Sequence, residues 1–175
     1  TVFGLSDLIA GLDALWGRLE REGLPATVTL GEVATDPAQH AFAKIPGEVR
    51  FCLDVRSTEP AVLARIEAAL ADLVAGIEAA RGVRFALGER TGSTPARMSP
   101  ALVEALSGHA RRLEMPFRTM PSGAGHDTAT FAGQGVPCTM IFIRNQNGSH
   151  NPHEAMRIAD LCAAATLVTH LVASE

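Results

Sequence analysis

Residues 48–56 (Glu-Val-Arg-Phe-Cys-Leu-Asp-Val-Arg) alternate without a break. Val49, Phe51, Leu53 and Val55 point one way, and Arg50, Cys52, Asp54 and Arg56 point the other. Such alternation belongs to a strand with one face on a core and one face in water. It needs an apolar layer on one side only, and the flanking sequence supplies it. Residues 6–22 read as a helix, with Ser6 as N-cap and Gly23 and Pro25 as stop. Its stripe is Leu8, Leu12, Leu15, Trp16 and Leu19. Residues 27–33, rich in Thr and Val, read as a strand, followed by a loop at Asp36-Pro37 and a turn at Pro46-Gly47. Residues 59–80 read as a second helix, capped by Thr58, with Pro60 in its first turn. Its stripe is Val62, Ile66, Leu70, Leu73 and Ile77, and residues 83–89 then alternate again through Val83, Phe85 and Leu87. The order helix-strand-strand-helix-strand, with every strand apolar on one face, predicts a two-layer α+β sandwich. It equals the ferredoxin-like order β-α-β-β-α-β without its first strand.

The polar stretch 91–95 changes the character of the chain and marks the expected boundary between residues 1–91 and residues 92–175. Beyond it, residues 99–114 read as a helix, and the Gly-bearing run 122–127 leads into a short helix ending at Ala132. Residues 136–143 are almost all apolar, as in a strand buried on both faces. A polar loop follows at 144–151. A last helix over 155–172 carries a stripe at Ile158, Leu161, Cys162, Ala165, Val168 and Leu171. This α-α-β-α order is a slice of an α/β layered domain whose other strands lie elsewhere.

Composition narrows the partners. With 15 Lys+Arg against 19 Asp+Glu, a formal charge of −4 and no basic stripe, nucleic acid is excluded as the expected partner. No run approaches the roughly 18 consecutive apolar residues of a membrane helix, and the N-terminus lacks the pattern of a secretory signal. Cys52, Cys138 and Cys162 are odd in number, widely spaced and set in apolar sequence, which predicts buried reduced thiols in a cytoplasmic protein. The chain opens on Thr1 and runs straight into a helical pattern, so a piece of a longer polypeptide is expected.

Three places carry candidate chemistry. His150 lies in the polar loop after the all-apolar segment, and ligands of α/β sheets gather beyond the carboxyl ends of strands. A neutral imidazole there suits zinc, and Glu154 is placed to orient or neutralise it; hydrogen bonding within its own turn is the alternative. The run Ser122-Gly123-Ala124-Gly125-His126-Asp127 exposes backbone N–H groups at a helix start that can hold a carbonyl or anionic oxygen, unless Asp127 merely caps the helix. Arg56, at the end of a strand on its polar face, can clamp a carboxylate with two prongs, or it pairs with Asp54 or Glu48.

Taken in order, residues 45–56 (Ile-Pro-Gly-Glu-Val-Arg-Phe-Cys-Leu-Asp-Val-Arg), the Ser-Gly-Ala-Gly-His-Asp run at 122–127, and Met140-Ile141-Phe142-Ile143 running into Gly148-Ser149-His150-Asn151-Pro152-His153-Glu154 resemble one family. It is the zinc-dependent amidohydrolases of the N-carbamoyl-L-amino acid hydrolase and allantoate amidohydrolase type, within the aminoacylase-like metallopeptidases. The resemblance implies a three-layer α/β catalytic domain interrupted by a smaller lid that also dimerises. The first half of this chain corresponds to most of the lid and the second half to the return into the catalytic domain. It implies that His150 ligates zinc, that Arg56 binds the substrate carboxylate, and that Gly125 and His126 line the substrate pocket, with Glu154 and Asp127 behind them. It further implies two divalent metal ions, zinc foremost. The remaining ligands, the bridging Asp and the base Glu would lie upstream, so no complete catalytic set is expected in this chain. Ala43 stands where the carbamoylase pattern has an Asn that helps bind substrate. The expectation is the C-terminal portion of a cytoplasmic, homodimeric amidohydrolase that cuts a carbamoyl or linear amide C–N bond in a carboxylate-bearing small molecule, the chain alone being inactive. A truncated non-catalytic binding or dimerisation module, and an aminoacylase or peptidase of the same clan, are the alternatives.

Overall fold

The computed structural model describes residues 1–174. The chain divides into two compact units, Thr1–Pro95 and a second beginning at Ala96.

The first unit opens with α1, Val2–Arg21. Its N-cap position is Thr1, whose carbonyl accepts the Leu5 N–H at 3.1 Å, so Ser6 lies inside the helix and is not its cap. At the other end Gly23 adopts φ +71°, open to a residue without Cβ at little cost. Leu24 N–H then donates to the Leu19 carbonyl at 2.9 Å and Gly23 N–H to that of Glu20 at 3.0 Å, which closes the last turn as a Schellman motif. Strands β1 (Thr27–Ala34) and β2 (Arg50–Arg56) pair antiparallel, with Thr27 opposite Arg56 and Ala34 opposite Arg50. The register slips between Leu30 and Glu32, where Gly31 is the extra residue of a bulge. Helix α2, Pro60–Arg81, starts after Glu59 and not after Thr58; the Ser57 hydroxyl takes the Glu59 N–H at 3.0 Å.

The core follows from the stripes. Leu8, Leu12, Leu19 and Ile66 are under 2% exposed. One cluster joins Leu5, Leu8 and Leu12 to Val74 and Ile77, and a second joins Leu15 and Leu19 to Val62 and Ile66. Val28, Leu30, Phe51 and Leu53 cover the first cluster from the hairpin but stay half-buried. Gly11 permits the close crossing of α1 and α2, since a Cβ there would sit 2.5 Å from Cδ2 of Leu73. Arg81 also reaches Asp7 across the helix pair at 2.7 Å, in solvent, so it orients the helices more than it stabilises them.

Residues 83–89 depart from the expected strand. Val83 and Phe85 turn inward and Arg84 and Ala86 outward, as the alternation predicts. Yet among the described residues no ladder joins the segment to β1 or β2. A strand exists only through lateral hydrogen bonds, and here the Phe85 N–H goes instead to the Glu78 carboxylate at 2.6 Å.

The second unit contains α3 (Pro100–Arg112), α4 (Asp127–Gly133), the two-residue strands β3 (Asn145–Gln146) and β4 (Ala155–Met156), and α5 (Ile158–Val172). Ser99 caps α3 by accepting the Leu102 N–H at 3.4 Å. Helix α3 buries Leu106, Ser107, His109 and Ala110, and packs against α5. Burial of His109 lowers its pKa, because a charged imidazole loses solvation there. On α5 the sheltered positions are Asp160, Ala164, Leu167 and Leu171. The expected stripe is therefore misplaced by most of a helix face: Ile158, Leu161 and Val168 are exposed. An α5 apolar nearly all round offers no single face to periodicity alone. Residues 136–143, expected as a strand buried on both faces, also lack a ladder, and Val136 and Phe142 are exposed. A single backbone bond, from Ser99 N–H to the Cys138 carbonyl at 2.8 Å, holds their middle. The thiols correct a third expectation. Cys52 and Cys162 are exposed, the first on the outward face of β2 and the second on the side of α5 turned from α3, and only Cys138 is partly sheltered. All three are free.

Leu12→Ala should lower unfolding free energy by about 2–5 kcal/mol, the usual cost of a leucine cavity in a closed core. Phe42→Ala, at a side chain wholly in solvent, should change it by less than about 0.5 kcal/mol. Urea unfolding followed by circular dichroism reads both.

Candidate functional site

The loop between β3 and β4 is built around one carboxylate. Glu154 Oε2 accepts the His150 backbone N–H at 3.0 Å. Its Oε1 accepts the Ser149 hydroxyl at 3.0 Å and the Asn145 side-chain amide at 3.2 Å. These donors, the His150 N–H first, hold the Glu154 carboxyl below its ordinary pKa because each bond favours the anion. Asn151 donates to the Asn147 carbonyl at 2.8 Å, and Asn147 donates to that of His153, lacing the loop from inside. The backbone needs this bracing: Asn147 and His150 sit at φ +67° and +62°, in the left-handed region that costs a side-chain-bearing residue free energy. Glu154 thus meets His150 through the backbone and leaves the exposed imidazole outside the network.

The root of the loop is held by a residue the sequence reading did not single out. Asp160, buried in the first turn of α5, pairs with Arg144 just before β3 and with Arg157 just after β4, the latter at 2.9 Å. One carboxylate therefore clamps both ends of the excursion that carries His150. The bonds from Arg157 and then Arg144 keep Asp160 below the ordinary carboxylate range. The signal was present as an Asp three residues after an Arg at a helix start, a spacing that brings the two side chains together.

In the Gly-bearing run, His126 occupies the N-cap position of α4 with an extended backbone, and Asp127 is its first residue. Neither side chain caps the helix; His126 Nε2 lies 2.7 Å from the Ser122 hydroxyl, which also accepts the Ala124 N–H at 3.1 Å. The Phe142 ring lies against the imidazole, with centroids 5.8 Å apart. Gly125 borders open space, since a Cβ there would meet nothing within 4 Å. The hydroxyl and the ring fix His126 while the Gly125 backbone stays accessible, an arrangement suited to presenting hydrogen-bond donors to a carbonyl or carboxylate. Arg56 belongs to the first unit, where its Nε pairs with Asp54 at 2.6 Å on the outward face of β2.

A zinc site takes at least three protein ligands. Among the described residues, no three His, Cys, Asp or Glu side chains gather around one point. His150 is a donor of the right chemistry on a braced loop, but the residues present do not make up a metal site.

Glu154→Gln removes the charge that three donors converge on. At pH 7 it should speed amide exchange at His150 and Ser149 about tenfold or more while leaving α1 and α2 unchanged. In the native chain, a depressed folded pKa means that this stabilisation is full above the unfolded value of about 4.3 and is lost as pH falls through the lower folded value. Exchange at His150 should therefore accelerate below about pH 4 by more than its intrinsic pH dependence, and Glu154→Gln should show no such step.

The sequence profile of peptidase family M20/M25/M40 matches residues 8–174. The chain is 34% identical over 145 residues to the allantoate amidohydrolase of Escherichia coli K12, covering 82% of this chain and 34% of that protein. It is 30% identical over 145 residues to the N-carbamoyl-L-amino-acid amidohydrolase of Paenarthrobacter aurescens, again covering 82% and 34%. The crystal structure of an amidase of the hydantoinase/carbamoylase family from Burkholderia multivorans superposes with a TM-score of 0.84 at 34% identity, covering 97% of this chain and 40% of that one. The chain thus spans about a third of the length of the curated relatives it matches. With the profile matched over nearly its whole length and amidohydrolases among its relatives, the chain belongs to peptidase family M20/M25/M40.

Proposed function

We propose that this chain is the C-terminal portion of a cytoplasmic, binuclear metal-dependent amidohydrolase. The complete enzyme hydrolyses a carbamoyl or linear amide C–N bond of a small molecule bearing a carboxylate, of the N-carbamoyl-L-amino acid or allantoate kind. The carrying observation is the built loop of the second unit: Glu154 and Asp160 together hold His150 at a fixed, exposed position beyond residues 136–143. In this reading His150 donates one ligand to a divalent metal ion, zinc foremost, and Arg56 takes the substrate carboxylate by exchanging Asp54 for it. His126 and the Gly125 backbone line the pocket, with Asp127 behind them. The first unit carries the contact of a homodimer. Because one imidazole is not a metal site, the isolated chain is inactive.

The test has two arms. The purified chain, supplied with zinc or manganese, should retain less than one metal ion per chain after gel filtration and should turn over neither allantoate nor N-carbamoyl-L-amino acids; turnover would overturn the inactivity. Spliced in place of the matching segment of the Escherichia coli relative, the chain should support hydrolysis. There His150→Ala should cut kcat/KM by more than about 100-fold together with metal content. Arg56→Lys should raise KM for carboxylate substrates about tenfold or more while sparing kcat, since a point charge cannot replace the bidentate fork. Unchanged kinetics in both variants would sink the assignments.

A further inference from the structure

The first unit contains a gap of defined shape between β2 and residues 83–87. Strand β2 is hydrogen-bonded on one side only, to β1. Beyond its other edge, residues 83–87 present Val83 and Phe85 to the same core cluster as Phe51 and Leu53. The Phe51 and Phe85 rings meet edge to face, with centroids 6.4 Å apart, although their backbones share no ladder. Neighbouring strands lie about 4.8 Å apart, so second neighbours lie about 10 Å apart, a separation that facing phenylalanine side chains can span. The two segments are joined through α2, and a strand-helix-strand crossover returns in the same direction. They are therefore parallel, with room for one antiparallel strand between them.

The N-terminus marks where such a strand would leave. The Thr1 hydroxyl donates to the Pro46 carbonyl, just ahead of β2. A strand antiparallel to β2 ends at that end of the gap. A strand leading into α1, and through α1 to β1, would by the same crossover rule run parallel to β1 and so antiparallel to β2. Register contact and chain direction agree. Core-side residues flanking the gap stay unsealed: Phe51 and Leu53 are half-buried and Leu87 is 57% exposed.

We propose that this gap is an acceptor slot for one extended segment of alternating apolar and polar residues, laid antiparallel to β2 and entering α1 directly at Thr1. Its apolar residues would complete the lid over the Leu5, Leu8, Leu12, Val74 and Ile77 cluster, and its backbone would satisfy the open edges of β2 and of residues 83–87 together, by strand addition. The proposal concerns folding and assembly and stands apart from the amidohydrolase reading.

Two fusions test it, (Val-Thr)4 and (Thr-Val)4 joined directly to Thr1, which place apolar residues on opposite faces. One of the two should raise Tm and slow amide exchange at least tenfold on both sides of the gap, at residues 51–55 and at residues 83–87, in a monomer by sedimentation. The same fusion with its central pair changed to Pro-Pro should do neither. Protection in neither register, protection of β2 without residues 83–87, or protection that scales with protein concentration and therefore comes from a second copy would overturn the proposal. The unfused chain supplies a measurement independent of whether the fusions fold. Its Arg84, Ala86 and Leu87 amides should exchange at rates near those of an unstructured chain, and strong protection there would also overturn it.

Discussion

The closure of α1 and α2 over one face of the β1–β2 hairpin carries the first unit. A two-stranded hairpin is marginal in water, and helices of this length owe most of their stability to packing. Neither layer stands without the other, and the leucine stripe of α1 belongs to both. Leu8 and Leu12 meet α2 and the hairpin in one cluster, while Leu19 meets Ile66 in the next. Gly11 brings the helices close enough for both clusters to shut.

The second unit uses a different device where apolar burial is thin. Its long loop is shaped by two carboxylates: Glu154 gathers backbone and side-chain donors inside the loop, and buried Asp160 ties its two ends through Arg144 and Arg157. Converging bonds to a charged acceptor are stronger than neutral ones, which is how a solvent-facing segment can keep Asn147 and His150 in left-handed conformations. The position of His150 is thus set by electrostatics, and that of the leucine core by burial.

The elements most readable in the sequence were those whose pattern is local. Residues 2–21 and 60–81 are helical because their apolar residues recur at three and four, and residues 50–56 form a strand because theirs alternate; the ends moved by a few residues where Thr1 and Glu59, rather than Ser6 and Thr58, preceded the first turn. The motif residues were legible as candidates too. Asp160 was not, because an Asp at a helix start looks the same whether it faces water or is clamped by two arginines.

Sequence alone determined which segments can be helix or strand, which face of each is apolar, and the family, because these reside in residue order. Tertiary structure decided whether a strand-like segment becomes a strand. Residues 83–89 and 136–143 have the composition of strands and no ladder, since a ladder takes a second backbone at about 4.8 Å and no single segment supplies it. It also decided which side of α5 is buried and how the His150 loop is braced, since both depend on distant partners: α3 for the helix, and residues 144 and 160 for the loop.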